Sequence, residues 1–135
     1  MAKSRAVDRK EWRSLPFDEW RTPTVHAMII DLNVEKFGVT KYIPLRGWAF
    51  EQGVIKRALA EYGAAAVRET IERAFAEYRP NEKYPQLTAG FLVTYILPRI
   101  MPQVLAEEEA RRRRQESEND APDVDDVIAW LRGSA

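Results

Sequence analysis

His26 is the only histidine in the sequence, and there is no cysteine. A thiolate nucleophile, a disulfide and a Cys-ligated zinc are therefore excluded, and any proton-transfer chemistry at neutral pH would rest on one imidazole. His26 falls inside a helical pattern with Thr22 at i−4 and Ile30 at i+4, so no second metal ligand stands one turn away. It reads as a helix-surface or semi-buried histidine. The chain contains no GxSxG, Walker, GxGxxG or HExxH pattern. The sequence thus assigns no catalytic, cofactor-binding or metal-binding residue and points away from an enzyme, although a hydrolase working through carboxylates alone stays open.

Two further groupings could do chemistry. Asn119, Asp120, Asp123, Asp125 and Asp126 resemble a calcium loop in composition, but the turn glycine and distal glutamate of an EF-hand are missing. They read better as a solvated linker and a helix cap. Arg111, Arg112, Arg113 and Arg114 could grip phosphates, yet Glu107, Glu108 and Glu109 stand four residues before the first three. That order favours ion pairs along one helix. The phosphate reading stays open, and it would recruit the N-terminal cations Arg5, Arg9, Lys10 and Arg13.

Aromatic residues alternate with basic ones at Trp12-Arg13, Trp20-Arg21, Lys41-Tyr42 and Arg46-Gly47-Trp48. Such pairs could stack nucleic-acid bases, but tryptophans in a small domain more often anchor a core or a protein interface. Trp12, Trp20 and Trp48 are accordingly candidate partner-binding residues. A second candidate surface lies near the C-terminus, where Val124, Val127, Ile128 and Leu131 share one face of a short helix with Trp130 alongside. Two turns cannot hold themselves together, so that face must be covered by the domain, by a second copy or by another protein.

The elements that must carry these residues are helical. Thr22-Pro23 start a helix as hydroxyl cap and first-turn proline, Gly38 stops it, and Val25, Met28, Ile29 and Leu32 form its apolar face. Residues 39–46 are rich in strand-formers, but Pro44 limits them to an extended connection or short edge strand. A second helix covers Trp48 to Tyr62, or starts only at Gly53. Gly63 makes a tight corner into a third helix over Ala64 to Tyr78. After a proline loop, Thr88 caps a fourth helix that must kink or restart at Pro98 and Pro102 and then runs to about Gln115. The expected fold is all-α: a compact bundle of about four helices over residues 17–115 with a minor extended segment. A basic arm (1–16) precedes it, and a polar linker (116–122) tethers the helix 123–133.

Lys plus Arg and Asp plus Glu number 21 each, so the chain has no net charge to draw it to nucleic acid or anionic lipid from a distance. With no cysteine, no signal peptide and no evident membrane span, a cytoplasmic home is expected.

The stretch from Gly53 to Leu97 resembles small helical proteins often encoded by tailed bacteriophages. It shares their IKR-x-L-x-x-YG helix, a helix ending in F-x-x-Y, and a YP-x-LT-x-GF restart. The resemblance implies a setting in which small phage proteins load replication factors, bind DNA or remodel host enzymes such as RNA polymerase. The expected function is a non-enzymatic accessory or regulatory factor, without cofactor, that binds a protein of the transcription or replication machinery in the host cytoplasm. Direct DNA or RNA binding is the alternative, and self-association stays open.

Overall fold

Pro23 and Thr24 start the first helix, because proline needs no amide partner in the first turn and the Thr24 hydroxyl accepts the Arg21 N–H at 3.1 Å. The capping hydroxyl is thus that of Thr24 rather than Thr22, and Thr22 is already helical. In the computed structural model, which describes residues 7–120 and 124–133, this helix is α1 (Thr22–Phe37). It ends where Gly38 adopts φ 69° and offers its N–H to Val34 O, while Val39 N–H bonds Asn33 O.

α2 (Trp48–Tyr62) runs unbroken from the tryptophan, so Gly53 weakens the helix without delaying its start. One glycine, Gly63 at φ 84°, turns the chain into α3 (Ala64–Glu77). The chain is helical again at Ala89–Phe91, widens into a π-turn at Leu92–Ile96 and continues as α4 (Leu97–Asp120). The π-turn precedes Pro98, which has no N–H to bond the carbonyl four residues back. The Leu97 N–H bonds Leu92 O instead, absorbing the mismatch within a continuous rod. α5 (Val124–Gly133), the helix expected beyond the bundle of about four, brings the long helices among the described residues to five. Residues 116–120 belong to α4, not to a linker. Gln115, Glu116 and Glu118 are good helix formers, and no Gly or Pro intervenes before Pro122.

Two units divide the chain, Met1–Val104 and Leu105–Ala135. In the first, α1, α2 and α3 pack against one another, and the π-turn packs against α2 and α3. Met28, Ile29, Ile55, Ile71, Leu92 and Met101 are among the largest wholly buried side chains. By length and composition the helical run Ala89–Asn119 could cross a membrane, with mean hydropathy 1.3 in its most apolar window. Yet 44% of that window is buried within the protein, and Leu92, Ile96, Leu97 and Ile100 belong to the core.

The N-terminal arm is part of the fold from residue 8 onward. Trp12 is 4% exposed and donates its indole N–H to Asp31, and Trp20 is 3% exposed and donates to Leu15 O. Residues 39–46 form no strand. Ile43 gains a strand-like pair of bonds, but both come from the Gln86 side-chain amide.

Asn33 does the same job in the core. Its Nδ2 donates to Leu87 O at 2.9 Å and its Oδ1 accepts Leu87 N–H at 2.9 Å, tying the proline loop to α1 across 54 residues. Asn33→Ala should leave both Leu87 groups buried and unbonded, costing about 2–4 kcal/mol in urea unfolding. Asn33→Asp, which sets an acceptor against Leu87 O, should cost at least as much. A loss below about 0.5 kcal/mol in both variants would mean that this loop is held by packing alone.

Candidate functional site

Glu51 stands in the first turn of α2, where a carboxylate meets the positive end of the helix, and its side chain is fully buried. Its Oε1 accepts His26 Nε2–H at 2.9 Å and the Tyr42 hydroxyl at 2.6 Å. Its Oε2 accepts the backbone N–H groups of Leu45 at 2.9 Å and Gly90 at 2.8 Å. Burial pushes the Glu51 carboxyl up, but the bonds from His26, Tyr42, Gly90 and Leu45 outweigh it, and the group titrates below its ordinary 4.5. Burial, followed by the bond to Glu51, drives the Tyr42 hydroxyl well above its ordinary 10.0. Tyr42 therefore stays protonated, donating to Glu51 and accepting Ala89 N–H at 2.7 Å.

These bonds decide the histidine tautomer. An ionised carboxylate can only accept, so His26 Nε2 must carry a hydrogen. Its Nδ1 has no hydrogen-bond partner among the described residues, and His26 forms part of the wall of an open cleft of about 680 Å³. Trp48 forms another part, with its ring edge-on to the imidazole at 5.1 Å between centroids and 47% of the residue exposed. Lys10, Lys56, Gln52 and Asp31 supply polar lining, and Pro23, Ala27 and Ile30 supply apolar lining. His26 is thus an imidazole oriented by a carboxylate, with one ring nitrogen uncommitted at the wall of a cleft. Thr22 adds a hydroxyl to the same wall. Among the described residues no three His, Asp or Glu side chains gather closely enough to hold a metal ion.

This corrects the reading of His26 as a surface or semi-buried residue: it is 6% exposed and is the buried partner of Glu51. The periodicities carried a signal for both. Glu51, Ile55, Ala58 and Tyr62 lie at i, i+4, i+7 and i+11, and His26, Ile29 and Asn33 at i, i+3 and i+7. Each polar residue therefore occupies a core-facing position of its own helix. Tyr42, Asp31, Gln52 and Lys56 carried no comparable signal, because the cleft joins α1, α2 and the N-terminal segment.

The residues singled out from the sequence scatter. Trp12 and Trp20 lie in the core with their N–H groups bonded internally, so neither is exposed for recognition, whereas Trp48 is half exposed. Among the cations, Arg9 bonds the carboxylate and carbonyl of Glu19, and Arg13 forks onto Glu35 at 2.6 and 2.7 Å while lying over the Trp12 ring. Arg5 lies outside the described residues. On α4, Arg113 pairs with Glu109 at 2.7 Å, while Arg111, Arg112 and Arg114 are exposed. On α5, Val127 and Ile128 are 39% and 41% exposed, and Leu131 and Trp130 are 57% and 69% exposed. Asp123 and the Val124 side chain lie outside the described residues.

Because the folded state lowers the Glu51 pKa, the ionised group stabilises the fold above its ordinary value, and that contribution is lost as pH falls through the lower folded value. Glu51→Gln should cost on the order of 3 kcal/mol at pH 7, since an amide nitrogen must then oppose one pair of donors. The stability gap between the two proteins should narrow below about pH 4. A gap independent of pH down to pH 2 would show that Glu51 is not ionised in the fold. Comparison with protein-family models, with curated proteins and with solved structures finds no match to this chain, so the cleft and the surfaces above are read from their own chemistry.

Proposed function

We propose that the protein is a non-enzymatic accessory or regulatory factor, working in the cytoplasm, that binds another protein through α5. The observation that supports this reading is the exposed apolar side of α5, where Ile128, Trp130 and Leu131 are all more than two-fifths exposed in a ten-residue helix. A tryptophan flanked by leucine and isoleucine is the side-chain set that anchors an amphipathic helix in a partner's groove. The resemblance of residues 53–97 to small phage proteins supplies the setting. In that setting the partner belongs to transcription or replication machinery.

Direct nucleic-acid binding has less support. Arg9 and Arg13 are engaged within the fold and Arg113 with its helical neighbour, which leaves Lys10, Arg111, Arg112 and Arg114 as the exposed cations of that set among the described residues that form no ion pair. Its mark would be steep salt dependence of binding.

The test is capture of partners from the native host by the tagged full-length protein and by Trp130→Ala and Leu131→Ala, with and without nuclease. Each substitution should weaken the captured complex by about 2 kcal/mol, roughly thirtyfold, as loss of an interface anchor does. Melting curves of both variants report how far either side chain also supports the fold, and a large drop in melting temperature with capture intact would make α5 a structural element. Capture should survive nuclease. A partner lost on nuclease treatment, or on replacing Arg111–Arg114, would favour the nucleic-acid reading. Loss of only a second copy of the chain would make α5 a self-association element.

A further inference from the structure

We propose that the cleft beside His26 is a small-molecule site for a flat aromatic ring carrying an anionic group. Its volume of about 680 Å³ falls within the range of small-ligand pockets, roughly 300–1,000 Å³. Two observations set the ligand's chemistry.

The first is the distribution of charge. The ion pairs of the fold engage arginines with carboxylates: Arg9 with Glu19, Arg13 with Glu35, Arg68 with Glu72 and Arg99 with Glu77. The two lysines of the cleft, Lys10 and Lys56, have no carboxylate partner among the described residues. The carboxylate that shares the cleft with them, Asp31, accepts the Trp12 indole N–H at 2.8 Å. Two unpaired ammonium groups beside a low-dielectric wall attract an anion.

The second is the ring. Trp48 is half exposed although its imidazole neighbour is buried and its phenol neighbour partly so, and those neighbours meet it edge-on and tilted, at 5.1 and 5.7 Å. The indole is held in place by the Glu51 cluster and still presents surface to the cleft, which makes it a preformed stacking platform. His26 Nδ1, kept open because Nε2 is committed to Glu51, adds a directional contact for a polar edge of the ring or for the acid. Gln52 adds an amide able to donate or accept.

Mononucleotides and simple aromatic acids share this chemistry, and the experiment separates them. Full-length 15N-labelled protein is titrated with adenosine 5′-monophosphate, benzoate, adenosine and inorganic phosphate, following the Trp48 indole N–H. At least one of the two aromatic anions should shift that signal saturably, with a dissociation constant of about 1 mM or tighter. Whichever binds names the source. Lys10→Ala/Lys56→Ala should weaken binding about tenfold or more, as should Trp48→Ala. Circular dichroism and melting curves report whether each variant is folded. If Trp48→Ala fails to fold, the double lysine variant decides, because both of its changes are at the surface. No shift with either aromatic anion would overturn the proposal. So would binding unchanged by the lysine substitutions, or a response to inorganic phosphate alone. Failure of α5 to capture a partner leaves this test untouched.

Discussion

A single ionised carboxylate, Glu51, holds four donors in a place water does not reach, and the upper part of the fold is arranged around that fact. Burying a charge is costly unless every acceptor site is answered, and here four donors answer from three separate pieces of chain. His26 arrives from α1, Tyr42 and Leu45 from the connection between α1 and α2, and Gly90 from the restart of the chain before α4. Together with α2, which carries Glu51, four segments are thereby held to one point.

The restart at Thr88 shows how the pieces interlock. A helix start leaves four amide groups without intrahelical partners. Ala89 N–H goes to Tyr42, Gly90 N–H to Glu51, and Phe91 and Leu92 N–H to the hydroxyl and carbonyl of Thr88. The positive end of this helix therefore faces the buried carboxylate, which favours its ionised form. Gly90 is needed for the approach, since a Cβ there would meet Leu45 Cβ at 3.0 Å and Phe50 Cε2 at 3.2 Å. The LT-x-GF motif thus has a local physical reason: a buried backbone pairing, a cap, and a glycine where backbone must come close to side chains.

The same cluster shapes the surface above it. Nε2 of His26 and the hydroxyl of Tyr42 are both committed to Glu51, which leaves Nδ1 as the imidazole's uncommitted nitrogen, and Trp48 packs against both rings. The N-terminal segment completes this wall because Trp12 and Arg13 fasten it to Asp31 and Glu35 of α1, which brings Lys10 to the cleft. An electrically neutral chain acquires a local excess of positive charge in this way, by pairing its arginines elsewhere.

Much of the helical framework was legible in the residues themselves. Gly38 and Gly63 stop their helices because only glycine adopts those backbone angles cheaply, and Val25, Met28, Ile29 and Leu32 bury the face their spacing implies. The second helix was readable at its C-terminal end, while its start lay open between Trp48 and Gly53 until the structure placed it at Trp48. Local pattern failed where a choice lay between continuing and breaking a helix. The polar run 116–122 reads as a linker, yet its polar helix formers carry α4 through residue 120, and the kink or restart expected at Pro98 is a π-turn. The candidate site was barely legible. His26 and Glu51 are 25 residues apart, and Asn33 and Leu87 are 54 apart. Each alone is an unremarkable polar residue at a core-facing position. Sequence by itself determined the all-α class, the turns and the apolar faces, because these depend on neighbours within a few residues. Only the tertiary structure decided that Trp12 and Trp20 are core, that His26 is paired, and that Lys10 and Lys56 share a cleft with Trp48, because partners for buried polar groups are chosen by packing across the chain and not along it.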